Sequence, residues 1–199
     1  MLLRFSKMHC LGDDLMLVEL LSQHAFINPR QVQQWSSRAR GVGFKRLVLI
    51  EVPRQPEVDF SCRVYAQDGT ELDCSFVDLC CVTRLLMEKK LTTQHELRFD
   101  TRTGQQNTCL SIDGWVSVEY PLQNFTQLEF AQSWQVDLGE NYQDTNLAAA
   151  LSVKQQDGQH NKLRLELVKD ELSLSLCFEQ QKVELRGLAT RTFEGQIRI

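Results

Sequence analysis

Chemistry in this 199-residue chain has to come from seven cysteines, four histidines and a modest acidic excess. The cysteines are Cys10, Cys62, Cys74, Cys80, Cys81, Cys109 and Cys177, an odd set with no repeated spacing, which fits reduced thiols better than a disulfide framework. Cys80 and Cys81 are adjacent and Cys74 lies six residues before Cys80, so the spacing of a zinc site is missing and no metal is expected. A thiolate can act as base or nucleophile, and Cys74 is the thiol to test for it. Cys80 and Cys81 fall in an apolar run, where cysteine behaves as a small hydrophobe. His9 could carry a proton, but with no second histidine nearby it reads as a loop cap. Asp13, Asp14, Asp73 and Asp78 would make a cation site if their loops converged, and otherwise a solvated rim.

The elements that must position these groups follow from periodicity and stop signals. A strand through Phe5, a loop from His9 to Asp14 and a strand from Leu15 to Leu20 open the chain. Asn28-Pro29 starts a helix that should run to about Arg40, where Gly41-Val42-Gly43 ends it. Strands are expected at Leu47 to Val52 and at Val58 to Tyr65, the second closed by the Asp68-Gly69 turn. From Val77 to Met87 apolar residues surround most of a helical cylinder, as in a helix buried on nearly all sides. Glu96 to Asp100, Thr108 to Ile112 and Trp115 to Tyr120 read as strands, with a hairpin turn at Ile112-Asp113-Gly114-Trp115. Leu122 to Gly139 reads as polar and irregular, Asn146 to Val153 as a second apolar helix, and Leu163 to Leu167, Leu172 to Phe178, Lys182 to Leu185 and Thr190 to Ile199 as strands. The Trp115 and Trp134 rings suit a core or an interface, and Trp134 could anchor a partner.

Composition narrows the class. With 42% hydrophobic residues a substantial core can form, in one domain or two small lobes. The 22 basic and 26 acidic residues are mixed along the chain, so no basic stripe calls for nucleic acid. No apolar run suits a signal peptide or a membrane span, and a cytoplasmic protein is expected.

Several segments, in order, resemble the diaminopimelate epimerase family. Phe5-Ser6-Lys7-Met8-His9-Cys10-Leu11-Gly12-Asp13-Asp14-Leu15 is similar to a family opening with the pattern Lys-Met-His-Gly-Leu-Gly-Asn-Asp-Phe. Gly41-Val42-Gly43-Phe44 matches Gly-Val-Gly-Phe-Asp-Gln. Tyr65 to Arg84 overlays Phe-Asn-Ala-Asp-Gly-Ser-Glu and the Cys-Gly-Asn-Gly that carries the first thiol base. Trp115 to Phe125 resembles the strand closing the first lobe, and Leu163 to Ile199 follows the C-terminal strands. Between Phe125 and about Phe130 the family has several tens of further residues that this chain lacks. The resemblance implies an α+β, diaminopimelate-epimerase-like fold. One complete lobe of curved sheet around a central helix, residues 1–121, would be followed by a truncated second lobe, residues 122–199.

The same resemblance implies cofactor-independent epimerisation by two thiols on opposite faces of an alpha carbon, with glycine-rich helix starts holding the substrate carboxylate. Carried over, the first thiol falls on Ser75, or on Cys74 after a slip of one residue, and the glycine-rich turn on Phe76, Val77 and Asp78. Serine is too weak a base for this step unless activated. The family's substrate-contacting asparagine, glutamine and second asparagine become Asp13, Arg46 and Ala66. The second thiol falls near Tyr142, its turn near Gln143-Asp144-Thr145, and the preceding glutamate and arginine near Ser133 and Trp134. Folding signals persist while contact positions have changed. The expected role is therefore a non-catalytic, protein-binding or scaffold subunit, without cofactor, as a homodimer or in a complex, with Phe130, Trp134 and Leu138 near the contact. Two other roles stay open: a residual isomerase or small-molecule sensor using Cys74 or Ser75, and a regulator of an authentic epimerase through mixed dimers.

Overall fold

A computed structural model describes residues 2–53, 55–121, 126–128, 133–135, 162–167, 172–177 and 182–199, with side chains over 2–53, 55–119 and 184–199. The first hairpin joins β1 (Leu2–Cys10) to β2 (Asp13–Glu19). Leu11 and Gly12 both have positive φ, 49° and 79°, as a two-residue hairpin turn with the twist of its strands requires. The loop expected from His9 to Asp14 is therefore only two residues long, and His9 is an exposed strand residue opposite Asp14.

Helix α1 (Pro29–Ser36) starts where expected, on a capping box in which Asn28 and Gln31 each bond the other's backbone. It ends before Arg40 because the chain folds back. Gly43 N–H donates to Trp35 O at 3.0 Å, and a side chain at Gly41 would meet the Trp35 carbonyl oxygen at 2.4 Å. Strand β3 (Arg46–Glu51) then lies parallel to β2 and antiparallel to β4 (Phe60–Ala66), which turns at Asp68-Gly69 into the short β5 (Glu71–Leu72).

Helix α2 (Phe76–Glu88) carries the all-round apolar pattern, and every residue from Phe76 to Leu86 except Arg84 is buried. It is enclosed because the sheet wraps it. After β6 (Glu96–Thr101), β7 (Gly104–Leu110) and β8 (Val116–Pro121) come β9 (Thr126–Leu128) and β10 (Ser133–Gln135), a separate pair inside the stretch expected to be irregular. The remaining strands are β11 (Lys162–Leu167), β12 (Leu172–Cys177), β13 (Lys182–Gly187) and β14 (Ala189–Arg198). The main sheet runs β11-β12-β13-β8-β7-β6-β4-β3-β2-β1-β14, with β5 beside β4. β13 thus pairs with β8 and β14 with β1, so strands on either side of residue 122 are hydrogen-bonded neighbours. The helix expected at Asn146 to Val153 lies outside the described residues.

Two cores result. One surrounds α2, with Met8, Leu15, Val48, Val64, Phe99 and Val118 lining the sheet's inner face. The other lies on the outer face, where Val32 and Trp35 of α1 cover Leu3, Met16, Val18, Phe44 and Leu47. At about 25 cal/mol per Å² of apolar surface buried, cores of this kind supply most of the driving force for folding. Their layering fixes where the start of α2 sits, between the β1-β2 turn and the ends of β3 and β4.

Candidate functional site

The register of β2, β3 and β4 gathers residues that are distant in sequence. Arg46 lies directly opposite Ala66 and beside Leu15, two residues from Asp13. Both strand ends face the start of α2, where Ser75 is the N-cap and Asp78 the third helical residue. Of the positions singled out by sequence, Asp13, Arg46, Ala66, Ser75, Phe76 and Val77 are thus brought to one place. Tyr142, Phe130 and Leu138 lie outside the described residues. Trp134 is known only as a backbone position of β10, opposite Gln127.

The start of α2 is occupied by the protein itself. Asp78 Oδ2 accepts from the Ser75 N–H at 2.8 Å, from the Ser75 hydroxyl at 2.7 Å and from Arg46 Nη1 at 2.9 Å. Arg46 Nη1 also donates to Ser75 Oγ at 2.6 Å, and Nη2 pairs with Asp13 at 3.4 Å. Asp13 holds Lys45 at 2.5 Å on its other oxygen. The Asp78 side chain is fully buried and that of Arg46 is 4% exposed, so this pair is shielded from solvent screening. Asp78 Oδ1 is buried without a hydrogen-bond partner. Burial raises the Asp78 pKa above its ordinary value, opposed by Arg46 and by the hydrogen bonds from Ser75.

Phe76 and Val77, which stand where the resemblance puts the glycine-rich turn, are both 2% exposed and belong to the core. The Phe76 ring lies against Gly187, where an added Cβ would come within 3.1 Å of it. Bulk in place of the glycine-rich turn has been absorbed by the core, because the helix start tilts its first side chain inward against β13.

The thiols near this point are poor bases. Cys74 is half-buried, and burial followed by the field of Asp78 pushes its pKa well up. Cys80 and Cys81 are wholly buried in the core around α2, where burial raises both and the neighbouring Cys10 thiol raises Cys80 further. The acidic set disperses into ion pairs. Asp14 binds Lys7 at 2.6 Å and Arg38 at 2.7 Å, while Asp73 faces Arg102 at 3.5 Å. Lys7, almost buried, also donates to Gly43 O, which ties the opening motif to the Gly41-Val42-Gly43 motif. Among the described residues no three histidine, cysteine or acidic side chains converge as metal ligands. Trp115 stacks with the Arg186 guanidinium, 5.7 Å from its ring centre.

Comparison with known proteins agrees with this construction. No protein-family model matches the chain. A diaminopimelate epimerase of Pseudomonas savastanoi pv. phaseolicola is 41% identical over 119 residues, which is 60% of this chain and 43% of that protein. The diaminopimelate epimerase of Azotobacter vinelandii is 40% identical over the same length and shares. Over that stretch the chain is similar to the diaminopimelate epimerases. It matches less than half the length of these curated relatives. Among solved structures, a phenazine biosynthesis protein of the PhzF family from Enterococcus faecalis superimposes with a TM-score of 0.72 at 8% identity, covering 100% of both chains. A hydroxyproline epimerase from Agrobacterium vitis gives 0.59 at 9% identity, covering 98% of this chain and 92% of that one. At such identities these structures speak for the fold alone. That fold is the curved, epimerase-like sheet expected from the resemblance.

Proposed function

We propose that this epimerase relative is non-catalytic and serves as a protein-binding or scaffold subunit in the cytoplasm. The carrying observation is the self-occupied start of α2. Where the family resemblance implies a thiolate and open backbone amides, this chain has Ser75 and the Asp78 carboxylate, locked by Arg46. An internal carboxylate satisfies the capping donor that a substrate carboxylate would need, and its charge repels an anionic ligand. Ser75 Oγ already donates to Asp78 and accepts from Arg46, and Cys74 stays a protonated thiol. Neither can take a proton from a weakly acidic carbon.

The test is deuterium incorporation at the alpha carbon of LL-diaminopimelate in heavy water, at high protein concentration. No incorporation above a protein-free control is expected, either for the wild type or for Ser75→Cys, because residues that act as a unit are not regained singly. Incorporation that disappears in Cys74→Ala would overturn the reading in favour of a residual isomerase. Incorporation lost only in Ser75→Ala would identify an activated serine.

A further inference from the structure

Five of the cysteines sit around the first turns of α2 or just before it, and the proposed role uses none of them. Two differ from the rest in how they face each other. β4 and β5 pair antiparallel with Val64 opposite Leu72 and Tyr65 opposite Glu71. Carried two residues past the end of β5, the same register would set Cys62 opposite Cys74. The faces agree: Cys62 and Val64 belong to the core around α2, and Leu72 and Cys74 pack against that core. Cys62 is also among the groups whose field bears on the Cys74 thiol. Opposed positions on neighbouring strands have Cα separations of about 4.5–5.5 Å, inside the range a disulfide spans. Access is unequal, since Cys74 is half-buried and Cys62 is 2% exposed.

We propose that Cys62 and Cys74 form an oxidisable dithiol pair whose disulfide ties the segment leading into α2 to strand β4. A small disulfide supplies the oxidising equivalents. The Cys74 thiolate attacks one of its sulfurs, forming a mixed disulfide and expelling one small thiol. The Cys62 thiol, deprotonated as it reacts, attacks the Cys74 sulfur and expels the second small thiol. One external S–S bond is exchanged for one in the protein, and the two protein protons leave on the small thiols. Cys74 precedes the N-cap Ser75, so the bond would fix the backbone that presents Ser75 to Asp78 and Arg46. Burial keeps both sulfurs protonated, which makes the exchange slow at neutral pH and faster as pH rises. The same preference for the thiol over the thiolate removes the stabilisation that makes some disulfides easily reduced, so the bond once formed should persist.

The experiment incubates the folded wild-type protein with oxidised glutathione at about pH 8.5, where exchange outpaces that at neutral pH. Remaining thiols are then alkylated and the peptides mapped by mass spectrometry. The expected product is a cross-linked peptide pair containing Cys62 and Cys74, absent after reduction, with Cys10, Cys80 and Cys81 alkylated only on unfolding. Its rate of formation should rise roughly tenfold per pH unit while the thiolate fraction is limiting. In Cys62→Ser, Cys74 should stop at the glutathione adduct. Wild-type Cys74 held only as the glutathione adduct, Cys74 left unmodified, or a cross-link joining other cysteines would each overturn the proposal. The wild-type map decides the matter even if a variant fails to fold.

Discussion

Asp78 places three donors on one oxygen and none on the other, and that asymmetry makes its charge costly to remove from its cage or to leave without its cation. Replacing Arg46 by glutamine, the family's residue, keeps a hydrogen-bonding amide but strands the buried carboxylate. A loss of about 3 kcal/mol in urea unfolding is expected, the low end for a broken buried pair because Asp78 can take up a proton instead. The two acidic residues of the network titrate in opposite senses. The folded pKa of Asp78 is raised above 3.8, so its contribution is greatest below that value and falls as pH rises through the folded pKa. Asp14 is lowered from 3.8, because the hydrogen bonds from Arg38 and Lys7 outweigh burial, so its contribution is present above 3.8 and is lost as pH falls through its folded pKa. Unfolding free energies across the acid range should therefore show the wild type losing ground to Asp78→Asn as pH rises and to Asp14→Asn as pH falls. A parallel offset at all pH values would contradict both assignments. The resemblance made Asp13, Arg46 and Ser75 legible in the sequence as one site. The bond between Arg46 and Asp78 was not, because 32 residues separate them and only the pairing of β3 with β2 and β4 brings them together.

At the scale of elements, periodicity located α2 and most strands to within a residue or two, and the Asn28-Pro29 cap located the start of α1. Ends were less legible. α1 stops at Ser36 because of a tertiary return to Trp35 that no local signal carries, and Ile112, apolar enough to extend β7, stands fully exposed at a turn instead. The Asp68-Gly69 turn was visible, but the reason it needs glycine was not. Gly69 has φ +84°, and a Cβ there would meet Pro29 at 2.6 Å, so the turn is pressed against the first residue of α1. A Gly69→Ala protein should lose roughly 1–3 kcal/mol from left-handed strain and overpacking together. If thermal melting of that variant matched the wild type, the close approach of the turn to α1 would be wrong.

For the whole molecule the open question is what meets the ends of the sheet. Among the described residues the sheet wraps α2 and leaves β11 and β14 as its terminal strands. β14 is ten residues long, exposed over most of its length, and presents Phe193 at 45% exposure beside Phe5. An edge of this length is a template for pairing with another chain. Charge partly guards it: Arg191 bonds Glu88 and Glu194, and Lys89 bonds Glu194, which discourages promiscuous pairing while leaving the backbone edge available. On the proposed reading, an ordered sheet with such an edge suits a defined partner, and a second copy of this chain is the simplest one. Light scattering at micromolar concentration should give the mass of a dimer or larger assembly. Phe193→Lys, which adds a charge to the exposed edge, should shift that mass toward the monomer while leaving the far-ultraviolet dichroism unchanged. Trp134→Ala, tested in parallel, asks whether the contact instead runs through the Phe130, Trp134 and Leu138 stretch. A wild type that stays monomeric in light scattering and gains no mass when mixed with an authentic diaminopimelate epimerase would remove the support for a binding role of either kind.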